Sequence, residues 1–265
     1  MAERTTYLDK IVAAHRATAA DDGRRLDQLV EEARAVPPPR GFERALRDAS
    51  VDALAVIAEV KRRSPSKGDL APDLDPAETA ASYVAGGAAA LSVLTDVDWF
   101  GGAPDDLRAA RAAVAVPALR KDFTVDARDV CDARLMGADA VLLIVAALDD
   151  DELRDFHALA RELDLDVLVE VHDEPELDRA VAAGATLIGV NQRDLVTFEV
   201  DTDRAVRVGA AMPADAVRVA ESGIRGEEDA RRMAEAGFHA VLVGESVVTA
   251  GDRTESVNRL RVSRR

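Results

Sequence analysis

Lysine is almost missing from this chain: four stand against thirty arginines. Arginine can replace lysine wherever only a permanent positive charge is needed, but its guanidinium stays protonated and cannot act as a general acid near neutrality. A sequence that has shed most lysines keeps those that arginine cannot replace. Two of the four, Lys61 and Lys121, fall at the ends of predicted strands, in Ile57-Ala58-Glu59-Val60-Lys61-Arg62-Arg63-Ser64-Pro65-Ser66-Lys67-Gly68 and Leu119-Arg120-Lys121-Asp122-Phe123, and only Lys10 lies far from these runs. Cysteine occurs once, so an internal disulfide is excluded; Cys131, in a predicted helix over 130–135, reads as a small packed residue rather than a reactive thiol. No long apolar run is present, because the strongest, 141–148, is far too short to span a bilayer, and no signal peptide is visible. A soluble, cytoplasmic protein is expected. The four histidines, His15, His157, His172 and His239, lack the close spacing of metal sites, so no metal is expected.

Positive net charge is missing too. Fifty acidic residues against 34 basic ones give a formal charge of −16, with the acids spread along the chain. Such a coat argues against nucleic acid and anionic membranes as partners. With aspartate abundant and lysine scarce, it reads as the surface of a protein from a salt-saturated cytoplasm, where salt screens self-repulsion.

What is present is a repeat. Short β-branched runs alternate with Ala-, Arg- and Glu-rich helical stretches, as βα units with parallel strands do. Eight strands are predicted, over 55–60, 89–94, 117–121, 139–144, 167–171, 186–190, 216–220 and 239–243. Before four of them stands a glycine suited to a helix C-cap, namely Gly87, Gly137, Gly184 and Gly237. Recurrence about every fifty residues, the span of two βα units, points to a closed (β/α)8 TIM barrel. An open doubly wound sheet would need a glycine-rich dinucleotide turn after its first strand, and Glu59-Val60-Lys61-Arg62-Arg63-Ser64 is nothing like one. Residues 51–265 are assigned to the barrel and 1–50 to a helical extension of it, a single domain overall. In the extension Tyr7, Leu8, Ile11 and Val12, then Leu26, Leu29, Val30 and Ala33, stand at helical spacing, Pro37-Pro38-Pro39 is a break, and 42–47 is a short helical piece. The extension either plugs the barrel bottom or caps its mouth.

Active sites of such barrels lie at the C-terminal strand ends. Glu59 and Lys61 are two apart, so both point into the same interior and must pair or shift their pKa values. Lys121 shares a face with Leu119 and Phe123. Glu170 shares one with Leu168 and His172, and burial among apolar neighbours is expected to raise its pKa toward that of a proton shuttle. His172 itself reads as a solvated residue at the strand end. Asn191 and Ser222 are neutral hydrogen-bonding groups at strands six and seven. After strands seven and eight, Ser222-Gly223 and Gly244-Glu245-Ser246 expose backbone N–H groups where barrels of this kind bind phosphate.

Together these strings, with Leu91-Ser92-Val93-Leu94-Thr95, Phe100-Gly101-Gly102, Asn191-Gln192-Arg193-Asp194-Leu195 and Glu221-Ser222-Gly223-Ile224, resemble the indole-3-glycerol phosphate synthase family along essentially the whole chain. The resemblance implies ring closure of 1-(2-carboxyphenylamino)-1-deoxyribulose 5-phosphate with loss of carbon dioxide and water, and no cofactor. It implies Lys121 as proton donor to the C2′ oxygen, Glu170 as base in the dehydration, and Lys61, oriented by Glu59, on the substrate carboxylate and assisting the second proton transfer, with the division of steps between the two lysines left open. By the same resemblance Asn191 and Ser222 would hold sugar hydroxyls and the intermediate, and Ser64 and Arg193 would contact the carboxylate. Gly223 and Gly244, with the backbone at Glu245, would hold the phosphate; Phe100, Phe123, Leu142 and Leu195 would wall in the aromatic ring. Glu221 matches a family carboxylate whose role stays open. Gln192 stands where the family commonly has a second asparagine, and Ala103 where a serine often follows the two glycines. The partner implied is a small phosphorylated substrate, and a monomer is expected, with weak oligomerisation left open. The competing readings are another phosphate-binding barrel, such as phosphoribosylanthranilate isomerase or a Schiff-base aldolase, and a non-catalytic phosphate-ligand binder.

Overall fold

Eight parallel strands pair in sequence order and close on themselves, the first with the last. The structure, a computed structural model, describes residues 6–194 and 199–264. The strands are β1 (Ala55–Val60), β2 (Ala90–Leu94), β3 (Ala118–Lys121), β4 (Ala140–Ile144), β5 (Asp166–Val171), β6 (Leu187–Asn191), β7 (Val217–Glu221) and β8 (Ala240–Val243). Each agrees with the sequence expectation to within one residue. β6 and β7 run one residue further than expected, carrying Asn191 and Glu221 into the ladder opposite each other.

Alternation along each strand decides what faces inward. Odd-numbered residues of β1 and β3 and even-numbered residues of β2, β4 and β5 fill the interior, where Ile57, Leu119, Leu142 and Leu168 are nearly or fully buried. The opposite face of each strand meets the surrounding helices in a second, larger apolar layer.

Helices α4 (Pro76–Ala85), α5 (Pro104–Ala113), α6 (Ala127–Leu135), α7 (Asp150–Glu162), α8 (Glu174–Ala182), α9 (Thr202–Ala211), α10 (Glu227–Glu235), the single turn α11 (Glu245–Val248) and α12 (Arg253–Leu260) complete the βα units. The four expected glycine caps are present. Gly87, Gly137, Gly184 and Gly237 all take positive φ, and in each case the following residue donates its N–H back five positions, as in Ala88 to Tyr83 at 3.0 Å. The aspartates have a structural use as well: Asp75, Asp126, Asp149, Asp173, Asp201 and Asp252 each cap a helix N-terminus by accepting a backbone N–H. Such caps contribute about 1 kcal/mol each.

The extension does both things that its sequence left open. Helix α3 (Phe42–Ala49) plugs the bottom, with Phe42 and Leu46 fully buried against Ala55, Ala90, Ala140 and Ala240. Helix α1 (Tyr7–Ala20) lies instead at the mouth, where Tyr7, Leu8 and Ile11 line the central cavity. Helix α2 (Leu26–Ala35), between them, packs on α6. Asp139 fastens the bottom by accepting the N–H of Arg40 at 2.7 Å and that of Ala118 at 2.8 Å while pairing with Arg111.

Candidate active site

At the C-terminal strand ends the barrel opens into a cavity of about 610 Å³. All but one of the site residues expected from sequence line it. The exception, Leu195, lies outside the described residues.

Lys121, at the end of β3, reaches across the barrel. Its Nζ stands 3.1 Å from Glu170 Oε2 on β5 and 3.4 Å from Glu221 Oε2 on β7. Glu170 is 1% exposed, and its other oxygen accepts from Asn191 Nδ2 at 3.0 Å. On the facing wall Lys61 pairs closely with Glu59, which Ser92 Oγ also approaches at 3.4 Å. Two inward positions carry no side chain, and the charged groups occupy the space so freed. A Cβ on Gly189 would collide with the Glu221 carboxylate, and one on Gly244 would collide with Glu59 and crowd Lys61.

Three carboxylates and two ammoniums share this interior, so one negative charge is in excess. Burial alone would push the Lys121 ammonium down, but Glu170, Glu221 and Glu59 overrule it and hold its pKa well above the ordinary value. Burial would likewise raise Glu170, yet Lys121, His172 and Asn191 hold it below the usual carboxylate range. This corrects the expectation of a raised Glu170: the strand alone offers apolar neighbours, whereas the fold brings a lysine from β3. The proton goes to Glu221, which burial, with Glu170 and Glu59 nearby, pushes up to about 8 against the pull of Lys121.

His172 is not solvated as expected. Its side chain is 12% exposed, with Nδ1 2.9 Å from Glu176 and Nε2 3.6 Å from Glu170 Oε1. Burial alone would lower its pKa, but Glu176 and Glu170 together raise it above the ordinary value. Cys131 is the inert packed residue expected, its thiol pushed up to about 11 by burial.

The walls are apolar. Phe100 and Phe123 stand with ring centroids 6.2 Å apart, and Leu142, Ile144 and Leu242 form the floor. Ser64 and Arg193 lie on the lining, and the Arg193 N–H donates to Asn191 Oδ1 at 3.0 Å. At one end the strand-seven and strand-eight turns bring Ser222, Gly223, Gly244 and Glu245 together. Ser222 and Gly223 both have positive φ, and Gln192 steadies this turn by donating to the Ser222 carbonyl at 2.7 Å. Glu245 sets its carboxylate 3.6 Å from Lys67 Nζ on the facing loop. Sequence reasoning missed Lys67, Gly189 and the lining role of Tyr7, Leu8 and Ile11; for the last three the helical apolar stripe was the available signal.

Fold and cavity define a (β/α)8-barrel enzyme built for acid–base chemistry on a small anionic substrate. The family described as indole-3-glycerol phosphate synthase matches residues 8–260. A protein of that name from Nocardioides sp. is 54% identical over 257 residues, covering 96% of this chain and 98% of its own length. One from Mycolicibacterium smegmatis is 49% identical over 254 residues, covering 95% and 92%. Among solved structures, a thiamine phosphate pyrophosphorylase from Pyrococcus furiosus superposes with a TM-score of 0.59 at 19% identity, over 78% of this chain and 93% of that one, a likeness of fold alone. The chain belongs to the indole-3-glycerol phosphate synthase family.

Proposed function

We propose that the cavity carries out ring closure of 1-(2-carboxyphenylamino)-1-deoxyribulose 5-phosphate to indole-3-glycerol phosphate, with loss of carbon dioxide and water, and that Lys121 is its proton donor. The observation that carries this reading is the Lys121 ammonium, held charged between Glu170 and Glu221 and facing an apolar cavity. As the aromatic carbon attacks the C2′ carbonyl, the oxygen gains negative charge, and the ammonium protonates it to a hydroxyl. Loss of carbon dioxide restores the aromatic ring. The hydroxyl then leaves as water on a proton from the Lys61 ammonium, which is regained from solvent, while Glu170, a carboxylate because its pKa is held low, accepts the proton from the neighbouring carbon. Lys61, oriented by Glu59, binds the substrate carboxylate together with Ser64 and Arg193. Asn191 and Ser222 hold the sugar hydroxyls. Phe100, Phe123 and Leu142 enclose the ring, with Leu195 added by resemblance. Glu221 acts as a proton reservoir: neutral while Glu170 is ionised, it returns a proton to Lys121 and takes the negative charge once Glu170 is protonated.

The phosphate is assigned to the backbone at Gly223, Gly244 and Glu245, where Lys67 offsets the Glu245 carboxylate. The route needs no cofactor. The acidic surface supports a salt-rich cytoplasm as the working environment, with no nucleic acid or membrane partner, and no helix among the described residues is long and apolar enough to cross a membrane. A monomer suffices, because one barrel supplies every group used. The test is incubation with the substrate in molar KCl while indole fluorescence and released carbon dioxide are followed. Product in equal amounts supports the reading. Covalent trapping by borohydride, with no indole, would move it to a Schiff-base aldolase.

A further inference from the structure

Helix α1 has a weak hold on the barrel. Ile11 is its one buried apolar residue, with Tyr7, Leu8 and Val12 half-buried, so polar contacts help to dock it. Toward its end Arg128 donates to the Ala19 carbonyl at 2.9 Å, and Arg16 pairs with Glu152 at 2.7 Å. The third polar contact is made by His15. Its side chain is 23% exposed, with Nε2 2.9 Å from Asp96 Oδ2 and 4.0 Å from Asp122 Oδ1.

Both aspartates are buried and both hold an aromatic wall of the cavity. Asp96 Oδ1 accepts the N–H groups of Trp99 at 2.6 Å and Phe100 at 3.1 Å, fixing the loop after β2. Asp122 Oδ1 accepts the N–H of Phe123 at 2.9 Å, and the Phe123 ring lies 5.4 Å from the His15 ring. Two turns upstream, Tyr7 meets Trp99 edge-on at 5.2 Å. One imidazole thus joins the mouth helix to both loops that carry the phenylalanines. His15, Asp96 and Asp122 bring possible ligand atoms within 4.8 Å of one another, but Asp122 already pairs with Arg120 at 3.1 Å and with Thr95, which makes this an ion-pair cluster.

We propose that His15 is a positioning residue that clasps α1 over the cavity and, through Asp96, sets the loop carrying Phe100, so that substrate capture is tighter with a charged imidazole than with a neutral one. The inference rests on the reading of Phe100 and Phe123 as the aromatic wall, and it extends that reading to the extension. The groups facing His15 are Asp96, Asp122 and Asp129, with Arg120 against Asp122. Burial lowers the imidazole pKa, but the three carboxylates together raise it above 6.5. The sign follows. The clasp is fully present below 6.5 and is lost as the pH rises through the raised value, leaving only a neutral hydrogen bond.

Trp99 is the sole tryptophan and touches Tyr7, so its emission reports on the docked helix without substrate. In the free protein a pH titration of that emission should show one transition above 6.5. His15→Ala should lack the transition and hold the high-pH signal, and His15→Lys, with its permanent charge, should lack it and hold the low-pH signal. In turnover the wild-type KM should rise through the same transition relative to that of His15→Lys measured at each pH. His15→Ala should raise KM about fivefold at pH 6, the scale of a partly exposed charged hydrogen bond, and His15→Lys should restore it. A Trp99 transition surviving in His15→Ala would overturn the proposal. So would a wild-type KM that follows that of His15→Lys across the transition, or a loss confined to kcat. If wild type yields no product, the emission titration still decides the clasp, while the assigned reaction fails separately.

Discussion

At the bottom of the barrel the inward residues are Ala55, Ala90, Ala140 and Ala240, and Phe42 and Leu46 from α3 fill the space above these small side chains. At the other ends of β1, β3, β5 and β7 the same alternation delivers Glu59, Lys121, Glu170 and Glu221, with α1 rather than α3 at the opening. The backbone is alike at both ends, so the difference lies in what is buried. Apolar burial at the bottom stabilises the fold, by about 25 cal/mol for each Å² removed from water. Burying five charged or ionisable groups at the top gains little net stability, because desolvation offsets their attraction. The division follows the general rule for such barrels, stability below and chemistry above.

That comparison can be broken in order of expected effect. Glu170→Gln removes the proposed base and should lower kcat/KM by about 10²–10⁴-fold. The melting temperature should hardly move, since Glu221 can surrender its proton and take over Lys121. A large loss of stability would mean that Glu170 is part of the scaffold. At the other end Phe42→Ala should cost about 3–5 kcal/mol in denaturant unfolding while leaving kcat/KM of the folded protein unchanged. A selective loss of activity would show that the bottom is not merely structural.

A smaller effect concerns the proton on Glu221. Its folded pKa of about 8 lies above the ordinary 4.5, so the native state binds this proton more tightly than the unfolded chain does. Stability from this source is complete below 4.5 and falls as the pH climbs toward 8. Between 4.5 and 6.5, below the range where the raised histidines titrate, wild type should lose melting temperature relative to Glu221→Gln. Parallel curves would remove the proton from Glu221. The smallest effect belongs to neither end: with a charge of −16 spread over the surface, transfer from molar to low KCl should lower the melting temperature by a few degrees through unscreened repulsion. An unchanged curve would leave the acids to local uses such as the six aspartate helix caps.

Much of this was legible in the sequence, for physical reasons that differ by residue. The barrel strands announce themselves by β-branched runs and by glycines that only a left-handed helix cap requires. Glu59 and Lys61 were assigned to one interior because their spacing of two leaves no alternative once the strand is known. What stayed hidden depends on neighbours distant in sequence. Glu170 was expected to be raised because its own strand is apolar, but Lys121 arrives from 49 residues away and reverses the direction. His172 looked solvated until the fold set Glu176 and Glu170 against it. The His15 and Asp96 contact spans 81 residues. Gly189 could be recognised as a necessary gap only after Glu221 was found opposite it.

The most direct test of the whole account is Lys121→Arg, with indole formation from 1-(2-carboxyphenylamino)-1-deoxyribulose 5-phosphate as readout and the melting curve alongside. Arginine retains the charge that Glu170 and Glu221 hold but cannot give up a proton near neutrality. The account predicts a folded variant whose kcat/KM falls by about 10³-fold or more. A folded variant within about tenfold of wild type, less than general acid catalysis ordinarily supplies, would contradict it and leave Lys121 a fixed charge.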